Sequence, residues 1–446
     1  MSSYRRSFYP LLGRVAASLA LAANFTPAAM AAETTWNAGY QLEYTDNAGL
    51  TPNNQQEEWT NVLNAGVSLL ENSPSLDAKV QAQASYRNYK NNVFPDDTVF
   101  GLGANVLWKI SPDRFHWTVE DYLTQTSVLS LGVDTPSNRQ KLNVFSTGPD
   151  FKVRLSPVQA LQFGARYTRN TYDTSDLDNT RHVGELKWAY ESSPVTSLSL
   201  NYIAQTVRYD DVVINTDFDR QDAFLQIENR LSRNIFVLSA GVTSIQRENV
   251  PDEEGSLGRF SWTRLVSPVS TFNLSATSEL SDVGQQALAT GQTASANQQG
   301  IPVGSNTGNV FRTNSVIATF NHRRSFGKDS ISLFKAKDEY SLSPVVEERK
   351  GGNIDIGYEF AGTRAASVFA RYTKTESNIT TPATEFKDKN YGLRFSDRFA
   401  RNFTAGLELG RNVRDNVNIA ESYTERHAIL TLSYTASSNS GTSIFK

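Results

Sequence analysis

Residues 76–87 read LDAKVQAQASYR, with an apolar side chain at every even position and a polar one at every odd position. A period of two places alternate residues on opposite faces of a β-strand, whereas the faces of a helix recur about every 3.6 residues. Segments 353–360 and 427–434 repeat the alternation. The chain is therefore predicted to be all-β.

Alternation alone leaves two architectures open. A soluble antiparallel sheet packs its apolar face into a core, while a transmembrane barrel turns that face to lipid and its polar face to water. No stretch after residue 31 approaches the roughly 18–20 consecutive apolar residues of a membrane helix. The chain is thus either soluble or crosses a membrane as a closed barrel, because lipid cannot satisfy an open strand edge.

Short turns and long polar loops alternate between the predicted strands, which favours the barrel. Tight turns on one side and long loops on the other are typical of outer-membrane barrels. Nineteen such connections predict a single antiparallel up-and-down transmembrane β-barrel of about 18–20 strands. The short turns lie near Asn72–Ser75, Ser111–Arg114, Ser156–Gln159, Ser192–Pro194, Ser232–Asn234, Ser267–Val269, Ser325–Lys328, Ala361–Thr363 and Arg398–Ala400. The long loops lie near 47–58, 91–98, 127–139, 173–180, 210–219, 249–257, 281–311, 343–349, 376–387 and 414–423.

Aromatic residues flank many of these turns and loops. A membrane barrel carries aromatic girdles at both interfaces, whereas a sandwich core would place aromatics in mid-strand. The predicted girdle residues are Trp36, Tyr44, Trp59, Tyr86, Tyr89, Trp108, Phe115, Trp117, Tyr167, Tyr190, Tyr209, Phe236, Tyr340, Tyr372, Tyr391, Phe403 and Tyr434.

The first 31 residues resemble a cleavable secretory signal, with a retained anchor as the alternative. Three arginines precede the short apolar run 15–23, and residues 29–31 form an A-x-A cleavage site. The barrel is then residues 32–446, which include the uncharged long loop 283–311. Removing the signal leaves 40 of the 43 basic residues against 46 acidic ones, a net charge of about −6 that argues against a nucleic-acid partner.

Catalytic and cofactor motifs are absent from the sequence. The four histidines form no H-E-x-x-H motif, and without cysteine there is no thiol nucleophile or zinc knuckle. His116 near Glu120 and Asp121 is interpreted as an isolated polar residue on a strand rather than part of a hydrolase site. No enzymatic activity, cofactor or metal is predicted.

Charged residues on the polar strand faces carry the functional prediction. A dry interior could not hold so many charges, whereas the bore of a barrel of 16 or more strands is an aqueous channel. The alternative is that the charges pair across strands, fill the bore and transport nothing. The predicted lumen-lining residues are Lys79, Arg87, Lys109, Lys152, Arg154, Arg166, Glu185, Lys187, Glu228, Arg230, Lys335, Lys337, Glu339, Asp355, Glu359, Arg371, Arg394 and Glu408.

The segment Tyr44–Asn47 after the first strand resembles the opening of the β-barrel porins found with exopolysaccharide-export and exosortase (PEP-CTERM) gene clusters. The Ser-Pro turns, the closing segment 428–434 and the absence of a plug domain are similar to that family as well. One departure is the C-terminus, where Lys446 displaces the terminal aromatic residue of an assembly signal. The resemblance implies a role in passing or secreting polysaccharide across the outer membrane.

Two classes of function therefore remain. The first is a polar outer-membrane pore for polysaccharide or small hydrophilic solutes. The second is a structural or docking barrel of a surface polysaccharide or protein-sorting machine that conducts little. The expected partners are the lipid bilayer, lipopolysaccharide and the barrel assembly machinery, with polysaccharide and periplasmic export components implied by an export role.

Overall fold

The computed structural model describes residues 32–438 apart from 130, 214, 249, 283–309, 361, 379–383 and 418–420. Within these ranges the chain forms twenty strands and one 3₁₀ turn, Pro136–Asn138. The strands are β1 (Glu33–Thr45), β2 (Glu58–Asn72), β3 (Leu76–Tyr89), β4 (Asp97–Ser111), β5 (Phe115–Ser127), β6 (Arg139–Ser156), β7 (Gln159–Tyr172), β8 (Asn179–Ser193), β9 (Thr196–Tyr209), β10 (Phe218–Leu231), β11 (Asn234–Arg247), β12 (Val250–Ser267), β13 (Ser270–Ser281), β14 (Phe311–Arg324), β15 (Gly327–Tyr340), β16 (Val346–Phe360), β17 (Arg364–Ser377), β18 (Thr384–Asp397), β19 (Phe403–Asn416) and β20 (Tyr423–Ser438).

These strands close into one antiparallel barrel. Each pairs with its neighbours in the chain, and β1 pairs with β20 from Thr34 opposite Ser438 to Thr45 opposite His427. Closure removes the unpaired edges that would be costly in lipid. The predicted up-and-down barrel is confirmed, with twenty strands in the described chain.

Contacts between strands that are not neighbours identify the inner face. Arg181 on β8 bonds Asp282, which follows β13, and Arg414 on β19 bonds the carbonyl of Leu131 between β5 and β6. Such contacts can form only through the interior. Because paired residues of an antiparallel sheet share a face, the registers carry this assignment around the whole barrel.

The outer face is apolar over its middle band. Leu63, Phe151, Leu200, Leu333 and Leu393 all point outward and are strongly exposed in the isolated chain. A belt of exposed apolar side chains on a closed barrel is a lipid-facing surface. The chain thus has the architecture of an outer-membrane β-barrel. In the described part of the chain no helix is long and apolar enough to span a membrane.

All nine predicted short turns lie at one end of the barrel, together with both ends of the described chain. The predicted loop 249–257 is wrong, because β12 begins at Val250 and pairs with β11 from Arg247 opposite Val250. The polar run Asp252–Glu254 suggested a loop, yet it continues a hairpin. A strand needs outward apolar residues only where lipid covers it, so a polar stretch does not exclude a strand beyond the bilayer.

Three predicted girdle residues do not belong to a girdle. Tyr89, Tyr209 and Tyr340 are buried on the inner face, while Trp36, Trp59, Trp108 and Tyr434 point outward and are exposed. The predicted signal segment 1–31 and most of the uncharged loop, residues 283–309, lie outside the described residues.

Candidate functional site: the barrel lumen

The strand registers place fifteen of the eighteen predicted lumen residues on the inner face. Pairing carries this face from Arg181 through Thr168, Ser146, Glu120 and Asn105 to Lys79. The inner residues are Lys79, Arg87, Lys109, Lys152, Arg154, Arg166, Glu185, Lys187, Glu228, Arg230, Asp355, Glu359, Arg371, Arg394 and Glu408.

Lys335, Lys337 and Glu339 lie on the outer face instead, so the lumen prediction is wrong for these three. Pairing leads from Arg414 through Asp388, Thr373 and Gly351 to Phe334, which makes Phe334 an inner residue and its neighbour Lys335 an outer one. Leu333, on the side of Lys335, is 62% exposed. Charge does not distinguish the inner from the outer face at the loop end of β15. This part of the strand extends beyond the lipid and has charged side chains on both faces.

One wall of the lumen, formed by β5–β9, carries a recess of about 350 Å³. Asp150, which lines the recess, forms an ion pair with Arg166 on the same wall, with Oδ2 and Nη2 2.5 Å apart, and Nη2 of Arg166 also donates to the Thr118 hydroxyl. The side chains of His116, Lys152, Gln162, Glu185, Lys187 and Asn201 line the recess with Asp150. This wall therefore presents both signs of charge and neutral hydrogen-bonding groups.

A second charged patch lies on β16–β20. The Nη1 of Arg394 is 3.1 Å from Asp355, and its Nε is 2.6 Å from Glu408. The guanidinium also stacks over the Phe369 ring, 4.0 Å from the centroid. The His427 ring lies 3.5 Å from Glu408, so one arginine gathers two carboxylates and an aromatic ring on this wall.

The two patches occupy opposite sectors of the wall, because β7 and β17 are ten strands apart in a ring of twenty. Their ion pairs are not sequestered from solvent. The side chains of Arg394 and Asp355 are 47% and 40% exposed although they face inward. Inward-facing charges that stay exposed require water in the bore, since a dry interior would impose several kcal/mol per ion.

The segment between β5 and β6 folds inward across the loop end of the barrel. Asn138 ties this segment together through Leu129 and Val133, and the Arg414 guanidinium donates to the Leu131 carbonyl, 3.1 Å away. Asp388 holds the same guanidinium through two hydrogen bonds, at 2.7 and 3.0 Å. The described part of this segment thus narrows the mouth from one side.

A buried cluster narrows the mouth from another side. Arg181 forms a bidentate ion pair with Asp282, and both side chains are almost completely buried. Arg220 donates to the Leu280 carbonyl at 2.8 Å and pairs with Asp222. An apolar group packs beside them: Val207, Tyr209, Phe218, Ile245, Leu280 and Val310. The ends of β13 and β14 are thereby held against the inner wall of β8–β11.

Sequence reasoning missed Arg181, Asp282, Asp388 and Arg414. Strand alternation indicates that Arg181 and Arg414 face inward, but nothing in the sequence shows which distant segment each one contacts. Among the described residues, no group of three or more His, Asp or Glu side chains is arranged to hold a metal ion. A bore lined by charged and hydrogen-bonding side chains and narrowed at its mouth can orient small hydrated solutes, let them pass and exclude larger ones.

No protein-family model matches the sequence, and no curated protein matches it. Among solved structures, the chain is similar to Pseudomonas aeruginosa OpdK with vanillate, at 13% identity and a TM-score of 0.39, covering 91% of this chain and 99% of that one. It is also similar to OccK2 (OpdF) of the same organism in complex with glucuronate, at 12% identity and 0.39 over 91% and 98%. A loop-deletion form of Vibrio cholerae OmpT matches at 9% identity and 0.36 over 91% and 100%. These TM-scores are too low to support an argument from similarity, so the barrel architecture is established by the strand pairing described above.

Proposed function

We propose that this chain forms a water-filled channel in a Gram-negative outer membrane and passes small hydrophilic solutes. The observation that carries the proposal is the exposure of inward-facing ion pairs, above all Arg394 with Asp355. A barrel filled by its own side chains would bury such groups. The apolar outer belt supports placement in a bilayer, and a closed barrel is the strand architecture that lipid tolerates.

The narrowed mouth favours small solutes over polymers. The segment held by Arg414 and the cluster around Arg181 both occupy the loop end, where a polymer would have to thread past them. Polysaccharide passage, implied by the resemblance to porins of exopolysaccharide loci, remains the alternative cargo. Glycosyltransferase and polysaccharide-export genes beside this gene would support it.

Single-channel recording in planar bilayers tests the proposal. The acid-neutralised variant carries Asp355→Asn and Glu408→Gln, and the base-neutralised variant carries Arg371→Gln and Arg394→Gln. Removing lumen acids should shift the reversal potential towards anion preference, and removing lumen bases should shift it towards cation preference. Both shifts should fade between about 0.1 M and 1 M salt, because the Debye length falls from about 10 Å to about 3 Å.

A matched control is Lys335→Gln, which removes a charge from the outer face and should leave the selectivity unchanged. A folded barrel without stepwise conductance would contradict the channel and favour the docking barrel. Graded polyethylene glycols added to the bath then size the bore. Passage of saccharide polymers as readily as of single sugars would overturn the small-solute assignment.

A further inference from the structure

The outer face of β15–β18 carries a row of lysines at the loop end of the barrel. We call it the lysine belt, and it consists of Lys335, Lys337, Lys350, Lys374, Lys387 and Lys389. Their side chains range from 20% to 62% exposed. Phe334 faces the lumen, so the next residue of β15, Lys335, faces outward. Lys350 pairs with Lys335 and therefore lies on the same outer face, as do the other lysines of the belt.

The belt lies directly beyond an aromatic and apolar band. Lys389 pairs with Tyr372, and Tyr391 and Leu393 follow it on the same face of β18. Outward tyrosines mark the interface between hydrocarbon and headgroups. The belt is therefore at the level of the headgroups in the leaflet on the loop side, which is the outer leaflet if the loops face the medium.

Acidic residues alternate with the lysines and hold them in a row. Glu348 lies 3.0 Å from Lys335, and Glu385 lies 3.0 Å from Lys374 and 3.3 Å from Lys387. An ammonium group has three donors, whereas Lys350 and Lys374 each contact two carboxylates and the other four lysines contact one. These carboxylates therefore position the lysines and leave donors for a further anion.

The balance of charge on this surface is basic. With Arg411 and Arg426, the loop-end outer face of β15–β20 has eight basic residues. The acidic residues there are Glu339, Glu348, Glu376, Glu385 and Asp415. The same level of β3 and β4 presents Tyr86, Asn88, Thr98 and Phe100, none of them charged. Elsewhere on the loop-end outer face Arg169 on β7 and Arg208 on β9 are paired with Asp210 and Asp219, so the excess of basic over acidic residues distinguishes the sector of the belt.

We propose that the lysine belt binds the phosphate groups of lipid A in lipopolysaccharide. The lipid A phosphates are anions that lie at headgroup depth beside acyl chains. The belt offers the complementary surface, because its basic side chains border an apolar band. Charged side chains facing the membrane are stable only where such partners or water reach them. The inference rests on the outer-membrane placement in the proposed function and not on conduction.

Binding of the full-length folded barrel to diphosphoryl lipid A in nanodiscs tests the proposal. The belt variant carries Lys335→Gln, Lys350→Gln, Lys374→Gln and Lys389→Gln. The matched inner variant carries Lys79→Gln, Lys109→Gln, Lys152→Gln and Lys187→Gln. Heat-modifiability on gels verifies that each variant folds.

The belt variant should bind diphosphoryl lipid A about tenfold or more weakly, since each surface lysine contributes to attraction for anionic lipid. The inner variant should bind within about twofold of the native chain. Monophosphoryl lipid A should bind more weakly than the diphosphoryl form, and added salt should weaken both.

Equal lipid A affinity of the belt variant and the native chain would overturn the inference. So would loss of self-association by the belt variant with lipid binding intact, because the belt would then be a protein contact. Conductance is recorded on the same samples. A barrel that binds lipid A without conducting would contradict the channel alone, and one that conducts without this binding would contradict the belt alone.

Discussion

At the scale of single residues, the position of a side chain on one face of a strand decides its environment. Val80 and Ile356 point to lipid, while their neighbours Gln81 and Asp355 point to the lumen. Val80→Arg or Ile356→Arg should hinder folding by roughly 2–4 kcal/mol near the bilayer midplane, since a guanidinium is poorly solvated there. Urea unfolding of the refolded barrel in lipid vesicles measures the effect.

The matched substitutions Gln81→Arg and Asp355→Arg should fold nearly normally, because water in the lumen solvates the new charge. Equal losses from the lipid-facing and lumen-facing pairs would contradict the assignment of faces.

Two glycines on the inner face should respond in opposite ways to substitution by a larger residue. A Cβ on Gly351 would lie 2.1 Å from the Tyr372 carbonyl oxygen, whereas one on Gly103 would meet no atom within 4 Å. Gly351→Val should therefore separate β16 from β17 and destabilise the barrel by roughly 1–3 kcal/mol. Gly103→Val should leave the unfolding midpoint unchanged, because its side chain enters open lumen. The same urea titration separates them.

At the scale of elements, the inward segment between β5 and β6 depends on its contact with β19. Arg414→Ala removes the donor to the Leu131 carbonyl and should free the segment. We expect larger open-channel current fluctuations and a higher mean conductance in single-channel records. Arg411→Ala, three residues away on the outer face, is the control. Unchanged current noise in Arg414→Ala would show that the segment keeps its position without this contact.

Most strands and turns could be predicted from alternation, because lipid and water impose opposite demands on the two faces. The prediction failed where lipid no longer covers the strand. Residues 252–256 have no apolar side chain yet extend a hairpin. The outer face of β15 at this end carries Lys335, Lys337 and Glu339, whereas the inner face carries Phe334, Ala336 and Asp338. The long-range contacts of Arg181 and Arg414 depend on how loops fold inward, which strand periodicity does not encode.

At the scale of the whole molecule, the short turns and both ends of the described chain share one end of the barrel. That end is expected to face the periplasm. The native chain has no cysteine, so an introduced cysteine is a unique label. Gly49→Cys and Glu248→Cys should react with a membrane-impermeant maleimide on intact cells, and Pro157→Cys should react only after the cells are broken. Labelling of Pro157→Cys on intact cells would reverse the topology.

The pairing of β1 with β20 closes the barrel, so folding cannot be complete before this seam forms. Every other strand pair joins consecutive strands and can form while the polypeptide is still being exported. The seam sets Thr34 against Ser438, so it must wait for the last exported strand. A chain cut after residue 416 lacks β20 and exposes two open edges, whose unsatisfied groups cost several kcal/mol each in lipid. We expect periplasmic proteases to clear that product, whereas a chain cut after residue 438 should accumulate. Pulse-chase labelling measures the lifetimes of the two truncated chains. Equal lifetimes would show that the chain without β20 is not degraded faster and would contradict this expectation.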